Sequence, residues 1–154
     1  MNISEAVQFL AEEAKKSATA FDIIGGHSKS EGVSVFQGRL QNTEISESVG
    51  VGIRAFQGVK PGYAYTERLT EDALRQTVKD ALLHTQFTKD LPIELPHPEN
   101  HPLRKIEYNP DLKNVSLAQM AELSIDIEKR CFALSKDVKN VPYLGCQKNE
   151  SLTV

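Results

Sequence analysis

The chain has 154 residues, 40% of them hydrophobic and 25% charged, which is the composition of a globular protein and not of a disordered one. One domain fits this length, enough to bury about 70% of the surface that the unfolded chain exposes. Lys and Arg total 18 against 21 Asp and Glu, a formal charge of −3, and without a basic run the sequence argues against nucleic acid as its main partner.

Cys131 and Cys146 alone do not make a disulfide framework. No apolar run approaches the ~20 residues of a membrane span. The opening MNISEAVQFLAEEAKK lacks the basic-then-apolar order of a signal peptide. A cytoplasmic location is the default expectation.

Residues 3–17 predict an amphipathic helix, with Ile3, Val7, Leu10, Ala11 and Ala14 at helical spacing. Asn2 with Glu5 fits a capping box, and Glu12 can pair with Lys16 one turn on. Residues 20–68 then switch to a period of two. Turn chemistry at Gly25-Gly26, Gln37-Gly38 and Gln57-Gly58 predicts a meander of four or five antiparallel strands. Thr70 is a candidate N-cap for a helix over about 71–87, with Leu74, Val78, Ala81, Leu82 and Thr85 on one face. Glu71 and Asp72 suit the positive end of its dipole.

Residues 88–113 hold Pro92, Pro96, Pro98, Pro102 and Pro110, a density that neither a helix nor a central strand accepts. An extended surface connection is expected there. Ser116 with Gln119 forms a second capping box, opening a helix to about residue 135 whose face carries Leu117, Met120, Ala121, Ser124, Ile127, Cys131 and Leu134. NVPYLGCQKNESLTV reads as a strand, a turn at Lys148-Asn149 and the start of another strand, which suggests a piece of a longer protein. Helices before and after a cluster of strands predict an α+β fold, an antiparallel sheet with two or three helices on one face.

Local chemistry is sparse. In HPENH, Glu99 stands two residues after His97, and Pro98 and Pro102 prevent the helix that would bring His97 and His101 to one face, so a surface loop is expected rather than a metal site. His27 sits in GGHSK with no nucleophile or carboxylate at useful spacing. His84 falls near a helix C-terminus, where a cation suits the dipole. Cys131 and Cys146 read as small buried hydrophobes. The Gly50-Val51-Gly52 triplet lies in a strand pattern with no following G-K-[ST], so it is no phosphate loop. Neither a catalytic residue nor a metal ligand is predicted.

The stretch VGVGIRAFQGVKPGYAYTE, residues 49–67, stands out because glycine weakens a strand. A short loop at Gly58-Val59 sets Gly52 opposite Tyr65 and Arg54 opposite Tyr63, with Gly50 and Phe56 on the same side. Val49, Val51, Ile53 and Ala55 then face Gly62, Ala64 and Thr66 on a small apolar side suited to helix packing. Arg54 is placed to stack on Tyr63. Two readings of the glycines stand: room for tyrosine rings, or close approach of another chain. On the second, Gly50, Gly52, Arg54, Tyr63 and Tyr65 form a candidate peptide or subunit contact.

The run EGVSVFQGRLQNTEISESVGVGIRAFQGVKPGYAYTERLTEDALRQTVKDAL resembles the N-terminal domain of the TldD/PmbA family, also called TldD/TldE and often labelled modulators of DNA gyrase. The features that carry it are Gln37-Gly38-Arg39-Leu40, Gly50-x-Gly52-x-Arg54, Gly58 with Gly62-x-Ala64-x-Thr66, and Leu69-Thr70-Glu71-Asp72-Ala73-Leu74. The likeness covers about residues 5–90, and within the family the PmbA/TldE type is the nearer. It implies a longer chain of which this is the first third. It also implies a cytoplasmic metalloprotease heterodimer acting on unfolded or small peptides, with the gyrase label indirect. The zinc ligands, an H-E-x-x-x-H helix and a downstream Cys, belong to the TldD type and are absent here, so no cofactor is expected in this chain. Its implied partners are a TldD-like subunit, or a second copy of itself, and peptide substrates. The rival expectation is a stand-alone binding or adaptor module that uses the Arg54/Tyr63/Tyr65 face.

Overall fold

The computed structural model describes residues 1–93, 95 and 109–154. In chain order these are helix α1 (Ile3–Ala14), strands β1 (Ala20–Phe36), β2 (Arg39–Gln57) and β3 (Lys60–Thr66), helix α2 (Glu71–His84), helix α3 (Leu117–Leu134) and strand β4 (Leu144–Thr153). Short 3-10 turns lie at Thr85–Phe87 and Pro110–Asn114. The strands form one antiparallel sheet in the order β3-β2-β1-β4, an α+β fold. HPENH and most of the proline-rich connection lie outside the described residues.

Two compact units are present. The first comprises Met1–His27, the described residues of Ser48–Arg104, and Ser151–Val154; the second comprises Ser28–Glu47 and the described residues of Lys105–Glu150.

In the first unit, Asn2 and Glu5 close the capping box at 2.8 and 2.9 Å. Ile3, Ala6, Leu10 and Ala14 of α1 are buried with Val51, Ile53 and Ala55 of β2 and with Leu74, Val78 and Ala81 of α2. The buried stripe of α1 thus turns toward Ala6. The helix also stops at Ala14, three residues before the expected end, so Glu12 pairs with Lys15 and Glu13 with Lys16 in place of a Glu12–Lys16 pair. Thr70 occupies the N-cap of α2, but its side chain makes no cap hydrogen bond. Arg75 joins the helices, with Nη2 2.7 Å from Glu71 and the guanidinium 5.1 Å from the centre of the Phe9 ring.

Between β2 and β3 the register is as the alternation predicts, with Arg54 opposite Tyr63, Gly52 opposite Tyr65 and Ala55 opposite Gly62. Close approach dictates glycine at position 62. A Cβ there would lie 1.9 Å from the carbonyl oxygen of Ala81 and 2.8 Å from the backbone nitrogen of Thr85. One is a backbone atom of α2 and the other of the 3-10 turn that follows it, so the end of α2 rests directly on β3.

In the second unit, Val33 is buried with Met120 and Ala121, and Val115, Leu117 and Cys146 pack around them. Ser116 and Gln119 form the second capping box. The β1–β2 turn is Gln37-Gly38, both with positive φ, 52° and 73°, the handedness that suits a two-residue hairpin. Glu128 of α3, 2% exposed, accepts from both turn amides, Gln37 N–H at 2.8 Å and Gly38 N–H at 2.5 Å. A buried carboxylate is expensive unless hydrogen-bonded; here each oxygen takes one main-chain donor. The buried stripe of α3 is Met120, Ala121, Ser124 and Glu128. Ile127 and Leu134, expected on that face, are exposed.

Two expected turns are strands. Gly25-Gly26 lies within β1. Gly25 is there for packing, since a Cβ would meet Val7 Cγ2 of α1 at 2.6 Å. Lys148-Asn149 lies within β4. Residues 20–68 accordingly hold three strands, and the fourth comes from the C-terminal part of the chain.

Lys148 is drawn in by Glu31 at 2.7 Å and the Val115 carbonyl at 2.8 Å, while Lys29 reaches Glu31 from the other side at 3.0 Å. Hydrogen bonds from Lys148 and then Lys29 hold the Glu31 carboxyl below the ordinary glutamate value. A depressed folded-state value contributes stability above the unfolded value of about 4.3 and loses it as pH falls through the folded value. Protection factors of amides in β1 and β4 of the second unit are therefore expected to fall on acidification below about pH 4.3, and Glu31→Gln is expected to flatten that dependence. An unchanged pH profile in the variant would count against this triad.

Candidate functional site

Because Ile53, Ala55, Gly62 and Ala64 turn toward α1 and α2, the alternation places Gly52, Arg54, Tyr63 and Tyr65 on the opposite face. β1 adds Asp22 and Ile24 there. These six residues line a shallow groove of about 530 Å³. Tyr63 is 53% exposed, Ile24 64% and Tyr65 79%.

At the centre is an ion pair. Arg54 Nε donates to Asp22 Oδ1 at 3.1 Å and Arg54 Nη2 donates to Asp22 Oδ2, a bidentate arrangement between neighbouring strands. Asp22, and to a smaller extent Tyr63, hold the guanidinium above its ordinary value. The expected stacking of Arg54 on Tyr63 is replaced by this pair and by a position 5.6 Å from the centre of the Phe56 ring. Partly exposed pairs of this kind contribute about 0–1 kcal/mol, so the pair matters chiefly because it neutralises the groove floor.

Asp22 was not legible as a partner, since FDIIGG reads as an apolar run. The available signal was its even position between Phe21 and Ile23, which places it on the open face. Gly52 does not bear a tyrosine ring packed tightly upon it: a Cβ there would make ordinary contacts of 3.7–3.8 Å with Ile24, Ala64 and Tyr65. Gly50 is tighter, 3.3 Å from the Thr66 carbonyl oxygen, and is not among the residues that line the groove.

β3 is an edge strand, and the carbonyls of Pro61 and Tyr63, with that of Val59 just before the strand, are occupied. Val59 O accepts from Leu91 N–H at 2.8 Å, Pro61 O from Thr88 Oγ1 at 2.5 Å, and Tyr63 O from His84 Nδ1 at 2.7 Å. The carbonyl can only accept, so this bond puts the proton of His84 on Nδ1. His84 is thus an edge cap. His27 lies inside β1 rather than at a turn. Cys146 packs against Met120 and Ala121, and Cys131 is half-buried on α3.

Among the described residues, no three His, Cys, Asp or Glu side chains come together where a metal could be held, and no helix is long and apolar enough to cross a membrane.

The described residues thus form an α+β layer whose sheet carries an open, glycine-bearing face. Residues 21–83 match the family model described as PmbA/TldA metallopeptidase domain 1. TldE from Thermococcus kodakarensis superposes with a TM-score of 0.74 at 17% identity, covering 96% of this chain and 34% of that one. A protein from Thermotoga maritima described as a candidate modulator of a DNA gyrase gives a TM-score of 0.76 at 18% identity, covering 99% and 35%. A similarly described protein from Bacteroides thetaiotaomicron gives 0.76 at 15%, covering 97% and 35%. The chain spans about a third of the length of these solved structures. No curated protein matches it. The family match over residues 21–83 and the shared fold support an N-terminal TldD/PmbA-family domain.

Proposed function

We propose that this chain is the non-catalytic N-terminal domain of a PmbA/TldE-like subunit in a cytoplasmic metalloprotease complex that processes or degrades peptides. Its part is scaffold and peptide enclosure. The observation that carries the reading is that nearly the whole chain takes the fold of a segment of TldE, while residues 21–83 match a metallopeptidase first domain. On this reading zinc resides in a TldD-type partner, and Gly50, Gly52, Arg54, Tyr63 and Tyr65 belong to a surface that meets peptide or a neighbouring subunit.

The test is peptidase activity on fluorescein-labelled unfolded casein. The protein purified alone, with zinc added, is expected to release no label; mixed with a TldD-type subunit it is expected to co-elute and support hydrolysis. Hydrolysis by the isolated protein with stoichiometric bound zinc would overturn the proposal.

A second reading, a self-contained adaptor module, draws on the groove itself. Under it, Arg54→Ala costs binding of a protein partner while leaving the thermal midpoint nearly unchanged, and no TldD-type subunit is needed.

A further inference from the structure

Two features of the first unit bear jointly on how its open face recognises a partner. The groove floor is electrically closed, because the Arg54 guanidinium and the Asp22 carboxylate satisfy each other bidentately. A charged group entering it would lose water without gaining an unpaired counter-charge. The walls are Ile24, Tyr63 and Tyr65, all exposed, and Gly52 adds no side chain beside the ion pair. The adjacent β3 edge is capped at Val59, Pro61 and Tyr63 by donors of the same chain, and Pro61 has no N–H to offer. An extended segment therefore cannot join the sheet beside those three carbonyls without breaking existing bonds.

We infer that the groove over Gly52 takes an uncharged aliphatic side chain of an extended peptide, laid across the sheet face and read through that side chain rather than through strand addition. This rests on the reading of that face as a contact surface. The volume, about 530 Å³, lies in the range of small-ligand clefts, roughly 300–1,000 Å³. The tyrosine rings offer apolar area with little rotamer freedom to lose.

The experiment measures fluorescence anisotropy of labelled Ala/Ser peptides carrying a single central Leu, Glu or Lys, together with a Leu peptide N-methylated at alternate backbone positions. The Leu peptide is expected to bind saturably, with the Glu and Lys peptides about tenfold weaker or more, and N-methylation is expected to shift affinity by no more than about threefold. Gly52→Leu, which fills the groove from its floor, and Tyr65→Ala, at an exposed wall, are each expected to lose about tenfold in affinity. Thermal midpoints are recorded alongside, and Tyr65→Ala carries the test if Gly52→Leu unfolds.

Absence of saturable binding of the Leu peptide, equal binding of all three peptides, loss of binding on N-methylation, or parent-like affinity in Tyr65→Ala would each overturn the inference. Co-elution with the TldD-type subunit is scored on the same preparations. A complex that forms without peptide binding removes the groove proposal alone, and peptide binding without the complex removes the subunit reading alone.

Discussion

Gly62→Ala is expected to destabilise the first unit by about 3 kcal/mol, the upper end of ordinary overpacking penalties. The added methyl would sit 1.9 Å from the Ala81 carbonyl oxygen. A flexible side chain could swing away, but a helix carbonyl moves only if the helix moves. α2 would have to lift from β3, loosening Leu74, Val78 and Ala81 in the core and drawing His84 from the Tyr63 carbonyl. Gly52→Ala is the control, with contacts no closer than 3.7 Å and an expected change within about 1 kcal/mol. Urea unfolding followed by far-UV circular dichroism measures both. A midpoint for Gly62→Ala equal to that of the parent would mean that α2 does not rest on β3.

Glu128→Ala is expected to cost the second unit about 3 kcal/mol, because hydrogen bonds to a charged group contribute about 1.5–3 kcal/mol each and two are lost together. The amides of Gln37 and Gly38 lose their shared acceptor, and the buried space left by the side chain adds to the penalty. Their hydrogen exchange should accelerate well beyond that of the Gly58 amide, which is held separately by Thr19 Oγ1 at 3.0 Å. Glu128→Gln keeps one acceptor and turns an N–H₂ toward the other amide, so an intermediate loss is expected. Exchange at the turn that is indifferent to Glu128→Ala would refute the role given to this carboxylate.

What was legible in the sequence was what is local. Both capping boxes, the Gln37-Gly38 turn, the Gly58-Val59 loop and the face of α2 follow from neighbours within one helical turn or one hairpin. The β2–β3 register followed too, because the Gly58-Val59 loop fixes it. The misreadings occur where a distant element decides. Gly25-Gly26 has the composition of a turn, but the reason for Gly25 is Val7 of α1 pressing on the strand. Lys148-Asn149 looks like a polar turn, but the ammonium of Lys148 is held by Glu31, over a hundred positions earlier.

The candidate site was half visible. Gly52, Arg54, Tyr63 and Tyr65 could be placed on one face by alternation alone. Asp22 and Ile24 could not, since their membership depends on β1 lying beside β2. The glycines that drew notice, Gly50 and Gly52, are less constrained than Gly62, whose demand arises from a helix that packs across it. Glu128 gave no sign, because its partners are main-chain groups and carry no side-chain signature.

β1 and β2 are long, 17 and 19 residues, and each contributes one stretch to both units. Neither unit is a contiguous length of polypeptide, so no single cut in the gene releases one intact. Length changes in this hairpin are similarly constrained: adding a residue to one strand alone would exchange inner for outer side chains beyond that point. Insertions and deletions here should therefore occur as matched two-residue steps on both arms, leaving the lineage free to lengthen the hairpin but not to shift its phase.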